Sequence, residues 1–337
     1  MCYNYFDSIG ENKMNNKDRI NYIDTTKCLL ILLVLLGHIL ICFVYRGNEH
    51  YRLIKFIYSF HLPAFFLITG VLFNKKKWIE NNNFINYFKS RVKLLLIPYL
   101  FLDLLGGFIY MFLFNKVSKK ELLLVFKNTL LLKTNVGGNW FLISLFVSSI
   151  LLYLFIKHFK KIYILFMIVL VLMLYKYKMK IVIIDYLVRS TYGLLFMVSG
   201  YSLKKIIFSN AIIKYSYIIL FLLLTITISQ FNDQVEISSC TIGHPVLGFI
   251  SGITGALFIL GISYHLQNKL FNYIGRNTLI FMSSHYILIH TFIKLFKFNN
   301  NNINIIFMFL FVLFSELPII YIYNLSKTTT KNINGGI

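Results

Sequence analysis

Acidic residues are scarce in this chain. Only 12 of its 337 residues are Asp or Glu, against 34 Lys and Arg, and charged residues of all kinds make up 14%. Because a soluble globular protein carries about 25% charged residues, this composition argues against a water-soluble fold. A hydrophobic fraction of 58% and a mean hydropathy of +0.70 indicate an integral membrane protein instead.

Cysteine is also rare, and its four positions form no pattern. Cys2, Cys28, Cys42 and Cys240 are scattered, with no CxxC pair and no histidine at metal-ligand spacing. We therefore expect buried apolar thiols, without a disulfide framework and without a metal site. The net charge of +22 lies in short basic segments between apolar runs, where it orients helices and meets anionic lipid. Nucleic-acid binding is not expected, because no soluble module is present to carry it.

Long apolar runs dominate the chain instead. Windows near the length of about 20 residues that crosses a hydrocarbon core predict an all-α fold, a single polytopic membrane helix bundle with about ten transmembrane helices. The predicted spans are 28–45, 53–73, 92–114, 139–156, 160–175, 182–203, 211–229, 244–265, 278–296 and 303–323. The sixth contains Asp185 and Arg189, one helical turn apart, which we expect to pair with each other.

The basic segments predict the orientation of the bundle. With ten spans both termini share one side, and the Lys- and Arg-rich segments 75–93, 157–161 and 204–214 lie on that side, whereas the acidic loop 231–244 lies opposite. The positive-inside rule then makes both termini cytoplasmic in a multi-pass protein of the plasma membrane. We divide the chain into a cytoplasmic N-terminal segment, 1–18, a transmembrane domain, 19–325, and a cytoplasmic polar tail, 326–337. No cleaved leader is expected, because the first apolar run exceeds signal-peptide length and lacks an A-x-A-like site.

The stretch KCLLILLVLLGH places a cation and an imidazole on one apolar helix. Eleven residues separate Lys27 from His38, so the two side chains share one face and lie about 16 Å apart along the axis. Asp24, three residues before Lys27, falls near the same stripe and is placed to pair with it. Ionisable residues within a span normally face the bundle interior or water. We therefore expect Asp24, Lys27 and His38 to face a common cavity.

This layout suits a long anionic substrate that leaves its phosphates at the cytoplasmic edge and pushes a reactive end inward. Coenzyme A has that shape, and an imidazole at mid-depth would take a proton from an acceptor hydroxyl. Two structural alternatives stay open: His38 makes an interhelical hydrogen bond, and Lys27 is an ordinary positive-inside residue.

Five short motifs, in order along the chain, resemble the multi-pass acyltransferase-3 family. The first, RINYIDTTKCLLILLVLLGH at 19–38, is similar to that family's first helix, in which a basic residue is followed by His at this spacing. The others are FHLPAFFLITG at 60–70, SRVKLLLIPYL at 90–100, GNWFL at 138–142 and IGRNTLIFMSSH at 274–285. Together they extend over nearly the whole chain.

The resemblance implies an acyl-coenzyme A dependent O-acyltransferase of the polysaccharide O-acetyltransferase, fucose 4-O-acetylase-like branch. Such a protein moves acetyl from acetyl-CoA to a sugar hydroxyl of a cell-surface polysaccharide or its lipid-linked precursor. It implies no permanently bound cofactor, with acetyl-CoA as acyl-donor substrate. The implied partners are the lipid bilayer, the glycan or lipid-linked sugar acceptor, and other polysaccharide-assembly proteins.

The motifs, together with the positions of these residues on the predicted spans, give the candidate site residues. The candidates are His38 and Asp24 for catalysis, Lys27, Arg19, Arg91, Lys93 and Arg276 for donor binding, and His61, Asn139, Trp140, Asn277 and His285 for acceptor binding or support. Each has a structural alternative: basic residues at span ends anchor helices to headgroups, Trp is common in the interfacial belt, and buried His often caps or packs.

Two other classes of function remain open on the sequence alone. A transporter or flippase for a sugar or lipid-linked sugar also needs basic and His residues in a cavity. A non-catalytic membrane scaffold would need none of them for activity.

Overall fold

The structure, a computed structural model, describes residues 16–44, 50–81, 83–114, 117–158, 182–208, 212–296 and 302–334. Regular structure in these ranges is helical. The α-helices are α1 (Asn16–Val44), α2 (Tyr51–Val71), α3 (Phe84–Arg91), α4 (Ile97–Phe114), α5 (Lys119–Leu130), α6 (Trp140–His158), α7 (Val182–Ile207), α8 (Tyr215–Phe231), α9 (Pro245–His265), α10 (Lys269–Arg276), α11 (Thr278–Leu295) and α12 (Asn302–Asn334). π-Helical turns at Lys76–Glu80 and Val92–Leu96 and a 3₁₀ turn at Ile237–Ser239 complete the set.

Eight of the described helical segments are long and apolar enough to cross a membrane. One of them, Phe84–Phe114, joins α3, the second π turn and α4 into a single span of 31 residues. The predicted seventh span corresponds to α8, which is shorter at 17 residues, and the predicted fifth span, 160–175, lies outside the described residues. The predicted fold class, an all-α polytopic membrane bundle, is confirmed.

The bundle has two ends, defined here by the direction of α1. We call the end where α1 begins the near end, and the end where it finishes the far end. At the near end the Lys204 ammonium donates to the carbonyl of Phe73, and at the far end the Lys55 ammonium donates to the carbonyl of Gln230. The basic segments 75–91 and 204–208 therefore lie at the near end, and the loop 232–244 lies at the far end.

Small residues let α2 and α7 approach closely. A Cβ added to Gly70 would lie 1.8 Å from the carbonyl oxygen of Met197, and one added to Gly200 would lie 2.1 Å from that of Leu67. Membrane helices pack through such small residues because hydrocarbon offers no hydrophobic drive for their association. This contact fixes α2, and with it His61, against the rest of the bundle.

Pairing between Asp185 and Arg189 was wrongly predicted, since the described residues show no ion pair between them. The Arg189 guanidinium lies instead over two aromatic rings, 5.2 Å from the centroid of Trp140 and 5.1 Å from that of Tyr186. A guanidinium stacks favourably on an aromatic face because the ring quadrupole is negative there. The neighbouring helix α6 thus supplies a partner that spacing along α7 did not reveal.

Candidate active site

A cavity of about 350 Å³ opens near the far end of the bundle. Its wall is built from α1, α2, α6 and α11 together with two connecting segments, 137–138 and 236–238. Three of the predicted site residues line it: His38, His61 and Trp140. The cavity thus brings together residues from the first, second and fourth predicted spans.

His38 is the half-buried imidazole of this cavity. Its ring packs beside His285 of α11, with 5.2 Å between ring centroids, and lies perpendicular to the ring of Tyr286 at 6.1 Å. Within the described part of the chain its ring nitrogens make no hydrogen bond, so they are free to meet a bound molecule. The predicted interhelical hydrogen bond is therefore not formed among these residues.

His61 reaches the cavity from α2. Its Nδ1 lies 2.7 Å from the carbonyl oxygen of Ile57, and its ring stands edge-on to Tyr58 at 4.8 Å. Because a carbonyl only accepts, Nδ1 carries the hydrogen and the lone pair of the neutral ring is on Nε2. Pro63 lies inside the same helix, which continues to Val71 without a break.

Asp103 of α4 holds the segment that leads into the cavity wall. This carboxylate is fully buried, and it accepts hydrogen bonds from the Thr129 hydroxyl at 2.7 Å, the Asn139 amide at 3.0 Å and the side-chain amide of Asn135 at 2.9 Å. Backbone amides of Asn135 and Val136 add further bonds. A buried carboxylate needs such donors in place of water. Asn139 was predicted for acceptor binding or support, and in the structure its side-chain amide donates to the Asp103 carboxylate.

A second cluster lies at the near end, where Asp24 ties together two predicted donor-binding cations. The Lys27 ammonium lies 3.2 Å from one carboxylate oxygen, and Nε of Arg276 lies 2.9 Å from the other. Arg276 also donates to the side chain of Asn21. The predicted pair of Asp24 and Lys27 is thus formed, and Arg276 joins it from the junction of α10 and α11.

The near-end cluster and the cavity are separate in the described structure, which corrects the expectation of one common cavity. Leu30 and Ile31 lie on the face of α1 between Lys27 and His38, and both are fully buried. The cavity is lined by Val34 and His38 but by neither Asp24 nor Lys27. These aliphatic side chains are tightly packed against other helices, so no open path connects Lys27 with His38 along this face of α1. Helical periodicity predicts which face a residue lies on, but it does not predict this packing. Asp24 and His38 are about 21 Å apart along the helix.

The remaining predicted residues lie away from both clusters or are already engaged. The Arg91 guanidinium lies over the rings of Tyr87 and Trp78, at 5.1 and 5.9 Å, while Lys93 is exposed. The Asn277 amide donates to the carbonyl of Tyr273 at the start of α11. The side chain of Arg19 lies outside the described part of the structure.

Several residues of the cavity wall were missed by the sequence analysis, among them Tyr58, Glu236, Tyr286 and His290. The ring of His290 packs on that of Tyr286, with 4.6 Å between the ring centroids. The sequence does show that His285, Tyr286 and His290 lie close together on one helix. It does not show what they contact, because their neighbours are supplied by α1 and α4. In the described residues no group of three or more His, Cys, Asp and Glu side chains is arranged to hold a metal ion.

Fold and site together define a polytopic membrane protein with buried histidines at a cavity on one side and a cationic cluster on the other. Residues 20–324 match the acyltransferase domain that defines the acyltransferase-3 family, so the chain belongs to that family. No solved structure matches the chain.

Two curated relatives share part of the sequence. Nodulation protein NolL of Sinorhizobium fredii is 36% identical over 147 residues, and the NolL protein of Mesorhizobium japonicum is 32% identical over 142 residues. These alignments cover 42% and 41% of this chain, and 37% and 36% of the relatives. The chain thus spans little more than a third of either relative.

Proposed function

We propose that the protein moves an acetyl group from cytoplasmic acetyl-CoA to a sugar hydroxyl of a cell-surface polysaccharide or its lipid-linked precursor. The single observation that carries this proposal is the half-buried imidazole of His38 in the cavity, with no hydrogen-bond partner among the described residues. Imidazole is the side chain that most often acts as a general base, because its neutral ring has one nitrogen lone pair that can take a proton. In this proposal His38 takes the proton of the acceptor hydroxyl.

The near-end cluster is the proposed site of the donor phosphates. Lys27 and Arg276 share one carboxylate, so two positive charges face a single negative one at the bundle end. Charge-assisted hydrogen bonds from such cations bind phosphate strongly. Because the basic segments also gather at this end, we assign it to the cytoplasm and the cavity to the outer side of the plasma membrane.

The donor must then reach from one end of α1 towards the other. A phosphopantetheine arm of about 15–20 Å matches the rise of about 16 Å between Lys27 and His38. Leu30 and Ile31 fill this path in the structure. Transfer therefore requires these side chains to move when acetyl-CoA binds.

The proposed acceptor enters from the far end, where the cavity wall offers aromatic and polar groups together. Trp140 lines the wall with its ring held under the Arg189 guanidinium. Tyr58, Glu236 and Ser238 are within the same wall. An aromatic face beside hydroxyl and carboxylate groups suits a sugar, which has both apolar and hydroxyl-bearing faces.

The test is transfer of label from acetyl-CoA, labelled in the acetyl group, to glycan by membranes that contain the protein. We expect His38→Ala to lower the turnover rate by about 10²- to 10⁴-fold, the contribution of a general base. His158→Ala, at an exposed position at the end of α6, serves as the matched control and should retain the activity. An unimpaired His38→Ala variant, or wild-type membranes that leave the glycan unlabelled, would overturn the proposal. Glycan that crosses the membrane unlabelled would favour the transporter instead.

A further inference from the structure

The ring of His285 lies against the ring of His38 in a place that water does not reach. His285 is fully buried, and its ring centroid lies 5.2 Å from that of His38, with 38° between the two ring planes. The two residues come from α1 and α11, and their contact is therefore a product of helix packing. His285 has no contact of this kind with Lys27 or Asp24.

The hydrogen bonds of His285 determine which of its nitrogens can accept. Nδ1 lies 2.8 Å from the carbonyl oxygen of Phe281, and since a carbonyl only accepts, Nδ1 carries the hydrogen. The lone pair of the neutral ring is then on Nε2. This atom is buried and has no hydrogen-bond partner in the described structure. A buried acceptor without a donor is unfavourable, and the ring beside it belongs to His38.

Other polar groups face the same space and must be considered. They are Cys42 on α1, Tyr58 and His61 on α2, Glu236 on the far loop, and Tyr286 and His290 on α11. His61 also has its Nδ1 bound to a carbonyl, but its ring packs against Tyr58. His285 is thus the fixed imidazole whose ring packs against His38.

On the basis of the proposed function, we propose that His285 is a positioning residue for His38. A small rotation of the two rings from their arrangement in the structure lets this Nε2 accept the N–H of His38, and that hydrogen bond selects the His38 tautomer with a free nitrogen towards the cavity. That nitrogen takes the hydroxyl proton, the sugar oxygen forms its bond to the thioester carbonyl carbon, and the carbon–sulfur bond breaks. The leaving thiolate receives the proton from the His38 imidazolium. His285 itself gains and loses no proton.

Two variants of similar shape separate this role from simple packing. His285→Gln keeps an acceptor oxygen near the position of Nε2, whereas His285→Met fills the same space without a strong acceptor. We expect His285→Met to lower kcat by about 10- to 100-fold, a part of what a general base supplies, with an unchanged KM for acetyl-CoA. His285→Gln should recover most of that loss. A packing role would make both variants equally impaired.

The pH profile gives a second readout. The His38 imidazolium loses a hydrogen-bond acceptor in His285→Met, so it gives up its proton more easily. Because the base works in its neutral form, the acid limb of the kcat/KM profile should move to lower pH, with a lower plateau. An acid limb that stays where it is in the wild type would contradict the proposal.

A third readout does not depend on turnover. Protein labelled with ¹⁵N-histidine in bilayers gives ring-nitrogen signals, and those of His38 are the ones lost in His38→Ala. We expect a single neutral tautomer of His38 in the wild type and in His285→Gln, and a mixture in His285→Met. A wild-type His38 that averages between tautomers would overturn the inference even if His285→Met fails to fold.

These readouts keep the two proposals apart. Wild-type membranes without transfer, but with a His38 tautomer that depends on His285, would reject the proposed function and keep this inference. If the wild type transfers acetyl normally, but His285→Met changes neither the His38 spectrum nor the rate, the proposed function is kept and this inference is rejected.

Discussion

Nε of Arg276 donates a hydrogen bond of 2.9 Å to the carboxylate of Asp24, joining residues 252 positions apart in the chain. The Asp24 side chain is 8% exposed, and its other oxygen binds Lys27 at 3.2 Å. One buried acid therefore holds two cations side by side and fastens the start of α1 to the junction of α10 and α11.

Removing a cation from the near-end cluster should weaken donor binding without affecting the chemical step. We expect Lys27→Gln and Arg276→Gln each to raise the KM for acetyl-CoA by roughly 10-fold, the equivalent of about 1.4 kcal/mol, because a charge-assisted bond to phosphate is lost. Initial rates at varied acetyl-CoA measure this effect. Lys89→Gln, an exposed lysine at the same end, is the control and should change KM little. A lowered kcat with an unchanged KM would contradict the donor assignment.

Loss of the Asp103 carboxylate should loosen the segment 129–139 and destabilise the protein. Asp103→Ala leaves several buried donors without an acceptor, at about 1–3 kcal/mol for each group left unpaired. The midpoint of thermal unfolding in detergent should therefore fall substantially. Thr129→Val removes the bond that its hydroxyl donates to Asp103 and the one that it accepts from the Asn135 amide. It should cost much less, because the carboxylate keeps its other donors. Equal midpoints for the two variants would contradict the role of the Asp103 carboxylate as the anchor of this segment.

A methyl group at position 275 should force α10 away from α1. A Cβ on Gly275 would lie 1.8 Å from the carbonyl oxygen of Asp24, and backbone cannot yield as a flexible side chain can. We expect Gly275→Ala to destabilise the protein by about 1–3 kcal/mol and to raise the KM for acetyl-CoA, since Asp24 holds Lys27 and Arg276. Gly248→Ala, whose nearest neighbour would be at 3.1 Å, should be tolerated better. Thermal midpoints and donor KM values of both variants check this prediction.

Truncating the Trp140 side chain should weaken acceptor binding and leave donor binding unchanged. Trp140 lines the cavity under Arg189, and in the proposed function its ring offers a flat apolar face to the sugar acceptor. We expect Trp140→Ala to raise the acceptor KM by roughly 10-fold, about 1.4 kcal/mol, with the acetyl-CoA KM unchanged. Trp140→Phe keeps an aromatic ring, so its acceptor KM should lie between those of the wild type and Trp140→Ala. An acceptor KM that is the same in all three proteins would assign the ring to packing with Arg189.

Much of the fold could be predicted from the sequence, because a span needs only enough consecutive apolar residues to cross hydrocarbon. The spans at 53–73, 139–156 and 244–265, for example, closely match α2, α6 and α9. Neighbours along one helix were predictable as well: the pair of Asp24 and Lys27 follows from their spacing of three residues. The same reasoning failed for Asp185 and Arg189, because an aromatic ring on another helix was the better partner.

The amino-acid sequence by itself determined that this protein is a membrane helix bundle, and it placed His38 on the first helix, eleven residues after Lys27. Only the tertiary structure decided that His285 would meet it, that Arg276 would reach Asp24, and that Asp103 would collect its donors. Such contacts join positions far apart in the chain, and they depend on which helix faces which and at what height. Helical periodicity gives the face on which a side chain lies, but its partner is set by the packing of whole helices, which no local spacing contains.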